Sequence, residues 1–81
     1  MGGSNVSIIE SEVKSLQGTV ERMQRDLKHL RELKSNATNK NSKQSFDNQI
    51  KSLQAGLEKE KSALKNAKER LKNAKAAARG K

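Results

Sequence analysis

Eighty-one residues with a net charge of +9, 31% hydrophobic content and one aromatic, Phe46, cannot build a globular core of ordinary size. The absence of cysteine excludes disulfides, thiolate nucleophiles and cysteine-held metals. No apolar run exceeds three residues, which leaves no membrane span and no signal-peptide core, so the expectation is a soluble chain, cytoplasmic by default.

Proline is also absent, and Lys, Glu, Ala, Leu, Gln and Arg dominate, a helix-favouring composition. The opening Met1–Ser4 reads as a flexible start or a cloning remnant. It is not a myristoylation signal, because Val6 stands where that pattern requires Ser or Thr and Ser7 comes one place late. The sequons at Asn5 and Asn36 carry meaning only in a secreted chain.

The first predicted helix covers about residues 6–35. "SIIE", Ser7 to Glu10, fits a Ser-x-x-Glu capping box at its start. Apolar residues then fall at Val6, Ile9, Val13, Leu16, Val20, Met23, Leu27 and Leu30, with steps that alternate three and four. That spacing is a heptad seam. Gly18 and Gly56 lie off the predicted seams, where they lower helix propensity without removing packing.

A turn is predicted over about residues 36–42. Leu30 and Phe46 are sixteen residues apart, which is not a whole number of heptads, so a single rod would carry a stutter that swings its apolar stripe. Lys34, Ala37 and Asn41 hold the continued register and are poor seam formers, while Asn36, Asn39 and Asn41 favour turns and caps. "NSKQ", Asn41 to Gln44, resembles a capping box, and Ser42 or Ser45 could also open the next helix. The competing architecture is one unbroken rod, since neither Gly nor Pro enforces a turn.

The second predicted helix covers about residues 43–79, with Gly80 as its stop. Its seam runs Phe46, Ile50, Leu53, Leu57, Glu60, Leu64, Ala67, Leu71, Ala74 and Ala78. Glu60 is the one charged intruder, and its carboxylate is expected to snorkel outward. The reading is an all-α, antiparallel two-helix coiled-coil hairpin that forms a single domain. Its assembly seam is carried by Val13, Leu16, Val20, Met23, Leu27, Leu30, Ile50, Leu53, Leu57, Leu64 and Leu71. In this register Glu10 should lie near Lys68 or Lys75, and Glu12 near Arg70. A parallel pairing of the second helix with itself would set Arg70 against Lys75.

One seam must offset the ordering of the whole chain, which leaves a lone hairpin near the margin of stability. The expectation is therefore a homo-oligomer, a helical bundle, or a helical protein partner. Ile8 and Leu33, apolar but off the seam, could widen the contact face.

Charge is uneven: residues 1–37 carry six Lys or Arg against five Asp or Glu, and residues 38–81 carry twelve against four. Lys61, Lys65, Lys68, Lys72, Lys75 and Arg79 keep the period of the seam and form one stripe beside it, over about 27 Å of helix. Such a ridge is a candidate site for an anionic partner. Lysines also simply solubilise helix surfaces and complement the macrodipole of a helix C-terminus. Nucleic acid is a partner to consider, through phosphates alone, because base-stacking aromatics are missing.

Catalytic chemistry is not evident. His29 is the only histidine, and Glu58 and Glu60 point to different sides of a helix. There is no Gly-rich phosphate loop and no nucleophile–base constellation, and a two-helix object offers no concave pocket. The sequence points to no enzyme, cofactor, metal or small-molecule substrate. In length and expected shape the chain is similar to small secreted helical hairpins of the WXG type, though its turn has no Trp-x-Gly. It is equally similar to phage and secretion-system assembly proteins and to short adaptors. The expected function is a non-enzymatic structural or interaction module whose basic second helix meets an anionic partner. The alternatives are a sequence-independent nucleic-acid binder and a secretion partner or cargo adaptor.

Overall fold

The computed structural model describes residues 2–79, with side chains from Asn5 onward. The chain forms two helices, α1 (Gly2–Asn36) and α2 (Lys40–Arg79), packed against each other with no strand among the described residues. They run antiparallel, because Glu10 near the start of α1 meets Lys75 near the end of α2, while Lys34 meets Asp47 beside the turn. The hairpin measures 63 × 14 × 13 Å between Cα extremes. An unbroken rod of this many helical residues would be nearly twice that length, at about 1.5 Å per residue.

The turn is tighter than predicted, occupying residues 37–39 rather than 36–42. The Ala37 amide donates to the Lys34 carbonyl at 3.2 Å, a tightened last turn that closes α1. Asn39 then caps α2. Its Oδ1 accepts from the Asn41 amide at 2.7 Å, and its carbonyl accepts the Lys43 amide at 3.0 Å. The cap therefore lies two residues before the box read at Asn41, and Ser42 and Ser45 sit inside the helix. No described residue other than glycine has positive φ, nor does any described glycine, so the turn needs no left-handed position. This explains how the chain reverses without Gly or Pro.

α1 also begins earlier than predicted, at Gly2, so Ser7 lies within the helix and does not start it. Once a helix is nucleated, each further residue extends it cheaply, and no proline blocks extension toward Gly2. Gly80, the predicted stop of α2, lies outside the described residues, as does Met1.

The predicted seams are where the helices meet. Val13, Val20, Leu27, Ile50, Leu57 and Ala67 are buried. Val20, Leu27, Ile50 and Leu57 form one cluster, against which Met23, Leu30, Leu53 and Leu64 pack. Leu16, Phe46, Leu71 and Ala74 are half-buried, and Ala78 is exposed, so the seam frays past Ala74. Ala67 is fully enclosed, at 0% exposure, at a level where α1 presents Val13: a small side chain faces a larger one. Glu60 is half-exposed, and no carboxylate or other polar side chain is buried among the described residues.

Two residues depart from the expected pattern. Lys34 is half-buried at a seam position, its stem along the interface and its ammonium 2.9 Å from Asp47. Gly56 is not neutral to packing: a Cβ placed there would stand 3.1 Å from the Met23 terminal methyl, whereas nothing lies within 4 Å of a Cβ at Gly18. The methionine settles into space that the glycine leaves.

Two stability predictions follow from these contacts. Gly18→Ala should stabilise the hairpin by about 0.5–1 kcal/mol, the full propensity gain, whereas Gly56→Ala should gain less because Met23 must move; thermal unfolding followed by circular dichroism gives the order. Asn39→Ala should cost about 1 kcal/mol through the lost cap, while Ser42→Ala should leave the melting temperature almost unchanged.

Candidate functional site

On an antiparallel pair, the residues one place after each seam position line one flank, and those one place before line the other. The two flanks of this hairpin differ in chemistry.

The first flank carries the stripe. Lys61, Lys65, Lys68, Lys72, Lys75 and Arg79 each follow a seam residue of α2, and all six are exposed. Lys75 meets Glu10 across the seam at 3.9 Å. This contact fixes the local register and makes Lys75 the most compensated member of the stripe. Among the described residues the other five have no carboxylate within 4.0 Å. Moving along α2 from Lys75 toward the turn, α1 presents Lys14, Gln17, Glu21 and Gln24 opposite the stripe. Gln24 and Lys61 share the walls of a groove with Arg31, Gln54 and Glu58, floored by Leu27 and Leu57. Lys14 stands level with Lys72, so cation faces cation there.

The second flank is close to neutral. Arg70 donates to Glu12 at 2.6 Å, the pair expected from the heptad positions. Farther along, Asp26, His29, Asn48, Gln49 and Ser52 line a shallow cleft whose floor is Leu30 and Leu53. Ile8, 65% exposed, and Leu33, 37% exposed, belong to this flank. Leu33 continues into a second hollow at the turn with Phe46, Ala37 and Ser42. Sequence reading places Ile8 and Leu33 off the seam; that each stands one place before a seam position of α1, and so on one side, is readable from the heptad pattern as well.

The third electrostatic feature supports the turn. Asp47 accepts from Lys34 at 2.9 Å and lies 3.4 Å from Lys51 one helical turn on. The Lys34 hydrogen bond, then that of Lys51, hold its carboxyl below the ordinary value of 3.8, against a smaller opposing effect of desolvation.

Among the described residues no group of three His, Cys, Asp or Glu could hold a metal ion. His29 is an exposed wall of the cleft beside Leu30. No described helix is long and apolar enough to cross a membrane. No family model matches the chain, and comparison with curated proteins and with solved structures yields no similar protein.

The aspartate gives a pH prediction. Its folded pKa is depressed, so its stabilisation is fully present above the unfolded value and is lost as pH falls through the folded value. Melting temperature should therefore drop as pH is lowered below about 4. Asp47→Asn should flatten part of that drop and lower stability at neutral pH, as read from thermal unfolding at a series of pH values.

Proposed function

We propose that the protein is a non-enzymatic interaction module: a helical hairpin whose two heptad seams interlock as a coiled coil and which assembles through its near-neutral flank, with itself or with another helical protein. The basic flank of α2 stays outward for an anionic partner. The observation that carries this reading is the incomplete burial of the seam. Among the described residues six side chains are buried, and of the larger ones none is fully enclosed. Leu30 and Leu53 remain visible as the floor of a cleft, with Ile8 and Leu33 exposed on the same flank. Burial of apolar surface is the main source of stability, and a second hairpin laid over this flank would complete it. The opposite flank is a poor self-association surface, since two copies would bring lysine against lysine.

Assembly of copies predicts a melting temperature that rises by several degrees over a hundredfold increase in concentration, with sedimentation velocity giving a species larger than the monomer. Ile8→Glu combined with Leu33→Glu should return the protein to a helical monomer, because both positions are exposed within one hairpin. A wild-type monomer, fully helical and with concentration-independent melting, would remove self-assembly and leave only a foreign helical partner, recoverable by co-purification.

A further inference from the structure

We propose that the lysine flank binds the sugar–phosphate backbone of double-stranded nucleic acid without reading bases, and that α1 completes this surface. This names the anionic partner of the module proposed above and rests on its hairpin form, but not on its assembly.

Three observations carry the proposal. The first is that the fold compensates this flank only in part, with one ion pair, Lys75 to Glu10, among six cations. The same register that brings Glu12 to Arg70 at 2.6 Å on the other side sets Lys14, Gln17 and Gln24 opposite Lys72, Lys68 and Lys61, and offers carboxylates, Glu10 and Glu21, only at Lys75 and Lys65. Lys14 adds a cation to the ridge at the level of Lys72, so an anion bound there would meet both.

The second is what the ridge lacks. Apart from Leu64 and Leu71, the seam residues that alternate with it beyond Glu60 are Ala67, Ala74 and Ala78, which give no large apolar anchor for a lipid surface. The one aromatic, Phe46, is half-buried at the turn, at the far end of the hairpin, so bases of a single strand find nothing to stack on. What remains is charge at regular spacing, which suits phosphates.

The third is size. A ridge of about 27 Å lies alongside a duplex that carries one charge per about 1.7 Å of axis. The hairpin is 14 × 13 Å across between Cα atoms alone, and its side chains make it broader. The major groove is about 12 Å wide and admits one helix, so a helix pair stays on the phosphates outside it. The binding is therefore independent of sequence.

The test is fluorescence anisotropy with labelled 20-base-pair duplexes of two unrelated sequences, across a salt series. About four phosphate contacts predict equal affinity for both sequences and a roughly hundredfold loss between 50 and 200 mM salt. Lys65→Glu, Lys68→Glu and Lys72→Glu together should abolish binding. The same charge change placed off both flanks or at the turn, Arg25→Glu, Lys40→Glu and Lys43→Glu, all exposed, should weaken it only severalfold. Lys65→Gln, Lys68→Gln and Lys72→Gln, milder changes at exposed positions, should shorten the salt slope by about three contacts, and Lys14→Gln by about one. Circular dichroism and sedimentation of each variant check that helix content and assembly are unchanged. No binding at low salt, equal losses from the two reversed triples, or tighter binding to polyglutamate or to anionic vesicles than to duplex would overturn the proposal. Any of these with assembly intact leaves the interaction module standing, while duplex binding by a concentration-independent monomer removes only the self-assembly reading.

Discussion

The hairpin depends on a single line of apolar contact between two helices. Val20, Leu27, Ile50 and Leu57 form its centre, and Met23, Leu30, Leu53 and Leu64 fill the spaces around them. Everything else is subordinate to this line, because a two-layer object with one interface has no second core to fall back on. Burial persists from Ile50 to Ala67 and then declines toward the open end, to the half-buried Val6 and Ile9 and the exposed Ala78. Local opening should therefore begin at the termini, where fewer apolar contacts must break. The turn end is held differently, by the Asn39 cap and the Lys34–Asp47 bridge, polar contacts that stand in for burial where the seam runs out.

The sixteen residues between Leu30 and Phe46 could not carry one stripe along a rod, and the three-residue turn resolves that mismatch. Chain reversal allows each helix to keep its own phase, because facing stripes need only agree in the antiparallel register. The salt bridges serve the same end. Exposed pairs such as Glu12–Arg70 contribute about 0.2–1 kcal/mol each, too little to hold the fold, but they penalise a slipped register in which Arg70 would meet Ser15 or Ile8.

Much of this was legible in the residues. The alternation of three- and four-residue steps locates the interface almost to the residue, and the flanking charges give Glu12–Arg70 and narrow the partner of Glu10 to Lys68 or Lys75, of which Lys75 makes the contact. The misses have two causes. Asn39 reads as a turn and cap former beside Asn36 and Asn41, but with Ser42 and Ser45 offering the same chemistry within seven positions, local pattern cannot rank it as the cap of α2. Lys34 was discounted as a seam former by its charge, although its aliphatic stem packs once Asp47 takes the ammonium. Gly56 looked neutral because its contact, the Met23 methyl, comes from the other helix. Lys34 and Gly56 depend on tertiary partners that the one-dimensional pattern does not contain, whereas the Asn39 cap is local and is hidden only by its equivalents. The stripe's positions were legible in the same way; that α1 sets glutamines and a lysine across from it was not, because that depends on the folded register.

Antiparallel pairing is also what gives the molecule two unlike sides. In a parallel pair, positions after the seam on one helix face positions before it on the other, so the lysines of α2 would lie against the Glu12, Arg22 and Asp26 side of α1. Reversal instead places them beside Glu10, Lys14, Gln17, Glu21 and Gln24, and gathers Ile8, Leu33 and the Leu30–Leu53 cleft on the opposite flank. Apolar surface and positive charge are thereby separated by the thickness of the hairpin. This separation matters physically, since burying the first would not require desolvating the second. A copy laid on the near-neutral flank would leave both ridges facing water on opposite sides of the assembly, so that each would meet its own stretch of polyanion and the pair could bridge two of them.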